Sequence, residues 1–267
     1  MTVHTYPPGA PIWASSALGG PAGTGGIPSG APGQGDSCDL RPALEASGIT
    51  AGVQGNRGTC SVFALTQAIE FAIAKESGPG PRLSAEFLNW ASNRATGDTE
   101  DGGFFSDLWK GYEAYGISSD EAMPYRAAFD AKAEPGPHAR SDAEERRKAG
   151  LRLHWIKRWD PKRGVNDAEL REIRKTLDRG WPVSGGFLWP KKQVWTEGVL
   201  QMCPRAEVFD GHSVLIVGYR NDPRGGGVFL IRNTAGPSRD GFLTAGYLKA
   251  YMNDAVWVDP SPGKPEN

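Results

Sequence analysis

The sequence predicts an α+β fold of two halves with a cleft between them. Three observations predict it. Apolar residues recur at helical spacing early in the chain, at Val62, Phe63, Leu65, Ala68, Ile69, Ala72 and Ile73. Short apolar runs bounded by glycine and polar residues dominate the second part, at Val183–Phe187, Ser213–Tyr219, Val228–Asn233 and Ala255–Val258. Helices first and strands later suits a segregated α+β chain rather than alternating βα units. A chain of 267 residues is also long enough for one large domain, or two small ones, with a proper core.

Residues 1–36 are rich in Gly, Pro, Ala and Ser with almost no charge, and read as an extended arm unable to build a core. Tyr6, Ile12 and Trp13 are its candidates for docking on the body. The catalytic body is expected over 37–260, with a flexible tail at 261–267. Within the body, the helix opening at Cys60 should run to about Glu76 and end at Gly78. Ser84 is a good N-cap for a helix carrying Phe87, Leu88 and Ala91. Leu108, Trp109, Tyr112 and Tyr115 form a third stripe closed by Gly116. Residues 126–150 are polar and charged, and read as a surface insertion or solvated helix with His138 exposed. Leu151–Ile156 alternates like a strand with one wet face; His154 there reads as structural. Asn166 or Asp167 caps a short helix with Leu170, Ile173 and Leu177, ended by Gly180.

One stretch carries the chemistry: Gln54-Gly55-Asn56-Arg57-Gly58-Thr59-Cys60-Ser61. Gly55 and Gly58 mark a tightly turning backbone. Cys60 then opens the apolar helix, where free N–H groups and the dipole favour a thiolate. Gln54 is a neutral amide able to donate hydrogen bonds toward that sulfur, so nucleophile and oxyanion donor would come from one loop. A buried structural cysteine is the bland alternative, and partners downstream weigh against it. His212 stands at the mouth of one apolar strand and Asn233 at the end of the next, and each strand ends in polar residues and glycine.

This ordered set resembles the papain-like cysteine peptidases, which use a Cys-His-Asn arrangement. Further stretches fit in the same order. Asp39-Leu40-Arg41 is similar to the Asp-Trp-Arg opening of the mature domain. Leu83-Ser84-Ala85-Glu86-Phe87-Leu88 resembles the family's Leu-Ser-x-Gln-x-Leu. Asp101-Gly102-Gly103, Tyr112, Tyr115-Gly116-Ile117 and Pro124-Tyr125 resemble its glycine pair, helix and Tyr-Pro-Tyr segment. Gly180-Trp181-Pro182-Val183-Ser184 matches its Gly-Pro-Val-Ser strand with one residue inserted.

The resemblance implies a helical lobe carrying the cysteine, and a β-barrel-like lobe carrying the histidine and asparagine. It implies Cys60 as nucleophile beside a protonated His212, Asn233 orienting the imidazole, and Gln54 with the Cys60 N–H as oxyanion donors. It implies no cofactor and no metal. Gly102 and Gly103 would pair with an extended peptide. The pocket for the residue two before the scissile bond would be lined by Phe104, Phe105, Gly185, Gly186 and Ser213. That lining holds no charge, so a bulky apolar residue is expected and Arg or Lys disfavoured. Some positions depart from the pattern. Ser61 replaces the tryptophan usually after the nucleophile, and Ala235 the tryptophan that shields the His–Asn bond, which leaves that bond wetter unless another aromatic fills in. Arg57 stands where many members have a disulfide cysteine.

Composition bounds the partners. A net charge of −1 argues against a nucleic-acid footprint. No apolar run approaches a transmembrane length, and the first residues lack a basic and apolar leader. Three cysteines make no paired framework, although a Cys38–Cys203 bridge stays open. The expectation is a cytoplasmic monomer acting on peptide or protein substrates, without nucleic-acid or membrane partners. An acyltransferase or peptide ligase on the same scaffold, and a non-catalytic peptide-binding module, are the alternatives.

Overall fold

The apolar run after Cys60 forms the helix on which the rest is assembled. In the computed structural model, which describes residues 36–222, 226–235 and 240–260, α2 spans Cys60–Ser77 with Gly78 as its C-cap. Every side chain from Cys60 to Ala72 is buried, the polar Ser61, Thr66, Gln67 and Glu70 among them, so this stretch of the helix has no solvent face to keep. It packs against helices on one side and the sheet on the other. Leu65 and Ile69 are wholly enclosed, each burial worth roughly 1.5–3 kcal/mol, and Ile69→Ala would cost about 2–5 kcal/mol.

The helical half comprises α1 (Arg41–Ala46), α2, α3 (Ala85–Thr96), α4 (Phe105–Tyr115) and α5 (Pro137–Arg147). The Ser84 side chain caps α3 by accepting the Phe87 N–H. Helices α3 and α4 meet at Gly111, where a Cβ would lie 2.4 Å from the Ser92 nitrogen, so only glycine permits that approach. The charged 126–150 stretch yields α5, which buries Ala139 and Ala143 in a small satellite core with Phe87, Ala91 and Met123. His138 is exposed.

The second half is a sheet. Its strands are β2 (Leu151–Lys157), β3 (Val183–Pro190), β4 (Trp195–Thr196), β5 (Val199–Leu200), β6 (Val208–Arg220), β7 (Val228–Arg232), β8 (Asp240–Thr244) and β9 (Met252–Pro260). Their order is β2-β9-β3-β6-β7-β8-β5-β4, and β1 (Ser37–Asp39) adds to β6. Helix α6 (Asp167–Asp178) opens with a capping box, Asn166 and Glu169 bonding each other's backbone N–H. Helix α7 (Ala245–Tyr251) bridges β8 and β9. The Ser184 hydroxyl donates to the Ala64 carbonyl at 3.0 Å, tying β3 to the buried helix.

The two-residue strands, β1, β8 and α7 were not anticipated, and β3 and β9 are longer than their apolar runs imply. Residues 1–35 and 261–267, and with them the expected arm, tail, Tyr6, Ile12 and Trp13, lie outside the described residues.

Candidate active site

Three segments converge where the helical half meets the sheet. Cys60 is the first residue of α2, and its N-cap Thr59 makes no side-chain capping bond, leaving the helix-end N–H groups to their surroundings. The thiol is 8% exposed and its Sγ lies 3.8 Å from the Gly211 carbonyl. His212 follows that glycine on β6, and Asn233 follows β7, the neighbouring strand. Pairing of β6 with β7 brings the two side chains together: His212 Nε2 lies 3.0 Å from Asn233 Oδ1. The Ala235 N–H donates to the same oxygen at 3.0 Å, which fixes the amide orientation. Nε2 therefore carries the proton in the neutral ring, and Nδ1 is left as the acceptor.

Gln54 is tied on every side. Its Nε2 donates to the Arg57 carbonyl at 3.0 Å, and its Oε1 accepts the Thr234 hydroxyl at 2.8 Å. The Tyr125 hydroxyl donates to its carbonyl at 2.9 Å. The loop before the cysteine is thus fastened to the segment after Asn233.

Electrostatics differ from the expected resting ion pair. Burial pushes the Cys60 thiol up, opposed by backbone N–H groups of Ser213, Ser61 and Cys60 and by the Ser213 hydroxyl. Burial also pushes His212 down to about 4, with the Asn233 bond opposing. Enclosure this complete favours thiol and imidazole over thiolate and imidazolium.

A cavity of about 270 Å³ opens beside Cys60. Phe104, Phe105, Gly186 and Ser213 line it, and so does Gly103. Gly185, expected in the same wall, does not, and Gly102 lies outside the lining. Gly102 (φ +99°) faces the nucleophile loop, where a Cβ would meet the Gly58 oxygen at 2.3 Å. A Cβ on Gly185 would point into Met252 and Phe187.

The cavity is also not uncharged, which corrects the reading of its walls. Asp254, on β9 opposite Gly186, is buried in its lining and accepts the Gly186 N–H at 2.9 Å. Trp159 joins from the loop after β2, edge-to-face with Phe104 at 5.3 Å. The signal for Asp254 was present: two polar residues, Asn253 and Asp254, break an otherwise apolar stretch. Trp159 had none beyond being a large aromatic in a polar loop.

The missing tryptophan at Ala235 has a substitute from elsewhere. Trp189 of β3 is buried and meets the His212 ring edge-on, centroids 4.6 Å apart. The bond expected to be wetter is covered. Cys38 and Cys203 are both free thiols. Among the described residues no His, Cys, Asp and Glu cluster could hold a metal, and no helix is long and apolar enough to cross a membrane.

Comparison with known proteins agrees with this architecture. The model of the papain family cysteine proteases matches residues 35–257, so the chain belongs to that family. Xylellain, a cysteine protease from Xylella fastidiosa, superposes with a TM-score of 0.64 at 20% identity, covering 85% of this chain and 87% of its own. Digestive procathepsin L 3 of the Tenebrio molitor larval midgut gives 0.58 at 20% identity, over 87% and 72%. The ragweed pollen allergen Amb a 11, a cysteine protease in its proform, gives 0.57 at 21% identity, over 85% and 66%. A search of curated proteins finds no match. The protein is a papain-family cysteine protease with the α+β fold of that family.

Proposed function

We propose that the protein hydrolyses peptide bonds through an acyl-enzyme formed on Cys60. The observation that carries this reading is the His212 Nε2–Asn233 Oδ1 bond at 3.0 Å, beside a thiol at a helix N-terminus. His212 Nδ1 takes the thiol proton as Sγ attacks the carbonyl carbon. The Cys60 N–H and the second hydrogen of the Gln54 amide hold the oxyanion; one such donor is worth about 3–4 kcal/mol. Collapse breaks the C–N bond, and the imidazolium returns the proton to the leaving amine. Water, deprotonated by the same ring, then releases the acid. Asn233 keeps the ring in the tautomer both steps need.

The substrate is an extended peptide or protein segment, one side chain of which enters the cavity behind Phe104 and Trp159. A monomer suffices, since each group comes from one chain. Mass spectrometry of a peptide library treated with wild-type protein and with Cys60→Ser tests the reading. Hydrolysis by the wild type alone is expected. Transfer products that displace hydrolysis when an amine is added would assign the acyltransferase alternative, and no turnover the binding module.

A further inference from the structure

Arg57 is only 6% exposed, although it lies in a polar loop shortly before Cys60. Buried guanidinium groups require partners, and these come from other segments. Nε and Nη2 grip the two oxygens of Asp101 at 3.0 and 2.8 Å, a bidentate contact. Nη1 donates to Glu86 and, at 2.9 Å, to the Arg126 carbonyl. The group also lies over the Tyr125 ring, 4.5 Å from its centroid. Burial lowers its pKa, but the contacts with Asp101 and Glu86 outweigh this and hold it well above the ordinary value.

Both ends of this residue bear on the site. Its carbonyl accepts the Gln54 amide at 3.0 Å. Its side chain holds Asp101, directly before Gly102, which packs on the Gly58 oxygen. Asn89 completes the link, donating to Asp101 at 3.1 Å and accepting the Gly102 N–H at 2.9 Å. Two departures from the resembled pattern also meet here. Arg57 replaces a cysteine and Glu86 a glutamine, and the introduced cation faces the introduced anion.

We propose that Arg57 is a positioning residue, whose ionic contacts set the spacing between the nucleophile loop and the glycine-pair loop and thereby aim Gln54. The proposal rests on Cys60 and Gln54 having the roles given above.

Arg57→Met alone would strand two buried carboxylates, so the test uses two other proteins. One combines Arg57→Met, Glu86→Gln and Asp101→Asn; the other is Arg57→Lys, which keeps the charge and loses the planar fork. Each is assayed well below its melting temperature for kcat and KM, and for Cys60 alkylation by iodoacetamide, which needs no substrate. The neutral triple variant is expected to fold, lose about 30-fold or more in kcat with KM within about threefold, and alkylate about threefold more slowly. Arg57→Lys should fall between it and wild type. Wild-type kcat and alkylation in the triple variant would overturn the proposal, because Arg57 would then only neutralise charge. Should the triple variant not fold, Arg57→Lys decides: lowered kcat supports the proposal, and wild-type kcat overturns it. A wild type that alkylates at Cys60 but cleaves no peptide would overturn the peptidase reading, and the alkylation rates would still decide on Arg57.

Discussion

The Trp189 indole on β3 meets the His212 imidazole edge-on at 4.6 Å, although the tryptophan position it stands in for, Ala235, lies in the bend after β7. Strands β3 and β6 pair side by side, and their register sets Trp189 opposite Phe209 and Phe187 opposite His212. An aromatic edge over the imidazole excludes water from the Asn233 bond and adds to the enclosure that keeps the ring neutral.

Replacing this indole should therefore alter the pH profile. In Trp189→Leu, water reaches the ring and the His212 pKa climbs from about 4 toward its ordinary value. The base form is then lost at a higher pH as acidity increases. We expect kcat/KM to fall about tenfold at pH 5 and much less at pH 7.5, measured where circular dichroism shows a folded variant. Superimposable wild-type and variant profiles would exclude this role.

Cys60 should label as a buried thiol rather than as part of a preformed ion pair. Burial raises its pKa, so thiolate is the minor form and becomes more abundant as pH rises. Alkylation by iodoacetamide is expected to accelerate about tenfold per pH unit between 6 and 8. Cys38 should lag behind, since burial and the Asp178 and Asp39 charges push it up to about 12. Rapid, pH-independent labelling of Cys60 below pH 6 would show that the imidazolium forms at rest.

Asp254 makes the cavity discriminating in a testable way. A basic side chain entering past Phe104 and Trp159 meets a carboxylate, and the uncharged Asn keeps an oxygen for the Gly186 N–H. Asp254→Asn should lower kcat/KM for a fluorogenic substrate with Arg at the pocket position about tenfold relative to one with Leu. An unchanged Arg-to-Leu ratio would mean that the side chain binds elsewhere.

Glu70 gives a stability signature away from the site. Burial outweighs Arg82 and raises its carboxyl to about 7. A raised carboxyl binds its proton more tightly in the folded state, so stability is lost as pH rises from about 4.5 to 7. Glu70→Gln removes that loss. It should be more stable than wild type at pH 8, by on the order of 1–2 kcal/mol, with the gain gone at pH 4.5. Equal differences in denaturant midpoint at both pH values would refute this.

Much of the site was legible because its parts border apolar runs. Cys60 opens a long one and Asn233 follows β7, while His212 precedes the apolar run Val214–Val217 even though β6 itself starts earlier, at Val208. Gly185 is kept out of the cavity wall by packing not written in the sequence: a Cβ there would meet Met252, whereas Gly186 and Phe187, adjacent on β3 where the register shifts, both line it. Trp189 over His212 and Arg57 between Glu86 and Asp101 were not legible, since both depend on strand register or long-range packing rather than on neighbours in sequence. Strands β4 and β5 are two residues each, too short for any periodicity.

A thiol nucleophile is useful only while reduced, and a disulfide beside it would be exposed to the same reductants. Here the loop before Cys60 is fastened by a guanidinium and two carboxylates, and Cys38 and Cys203 are unbridged. Reductant strong enough to regenerate an oxidised Cys60 leaves those contacts unbroken, so reactivating the nucleophile does not loosen the loop that aims it.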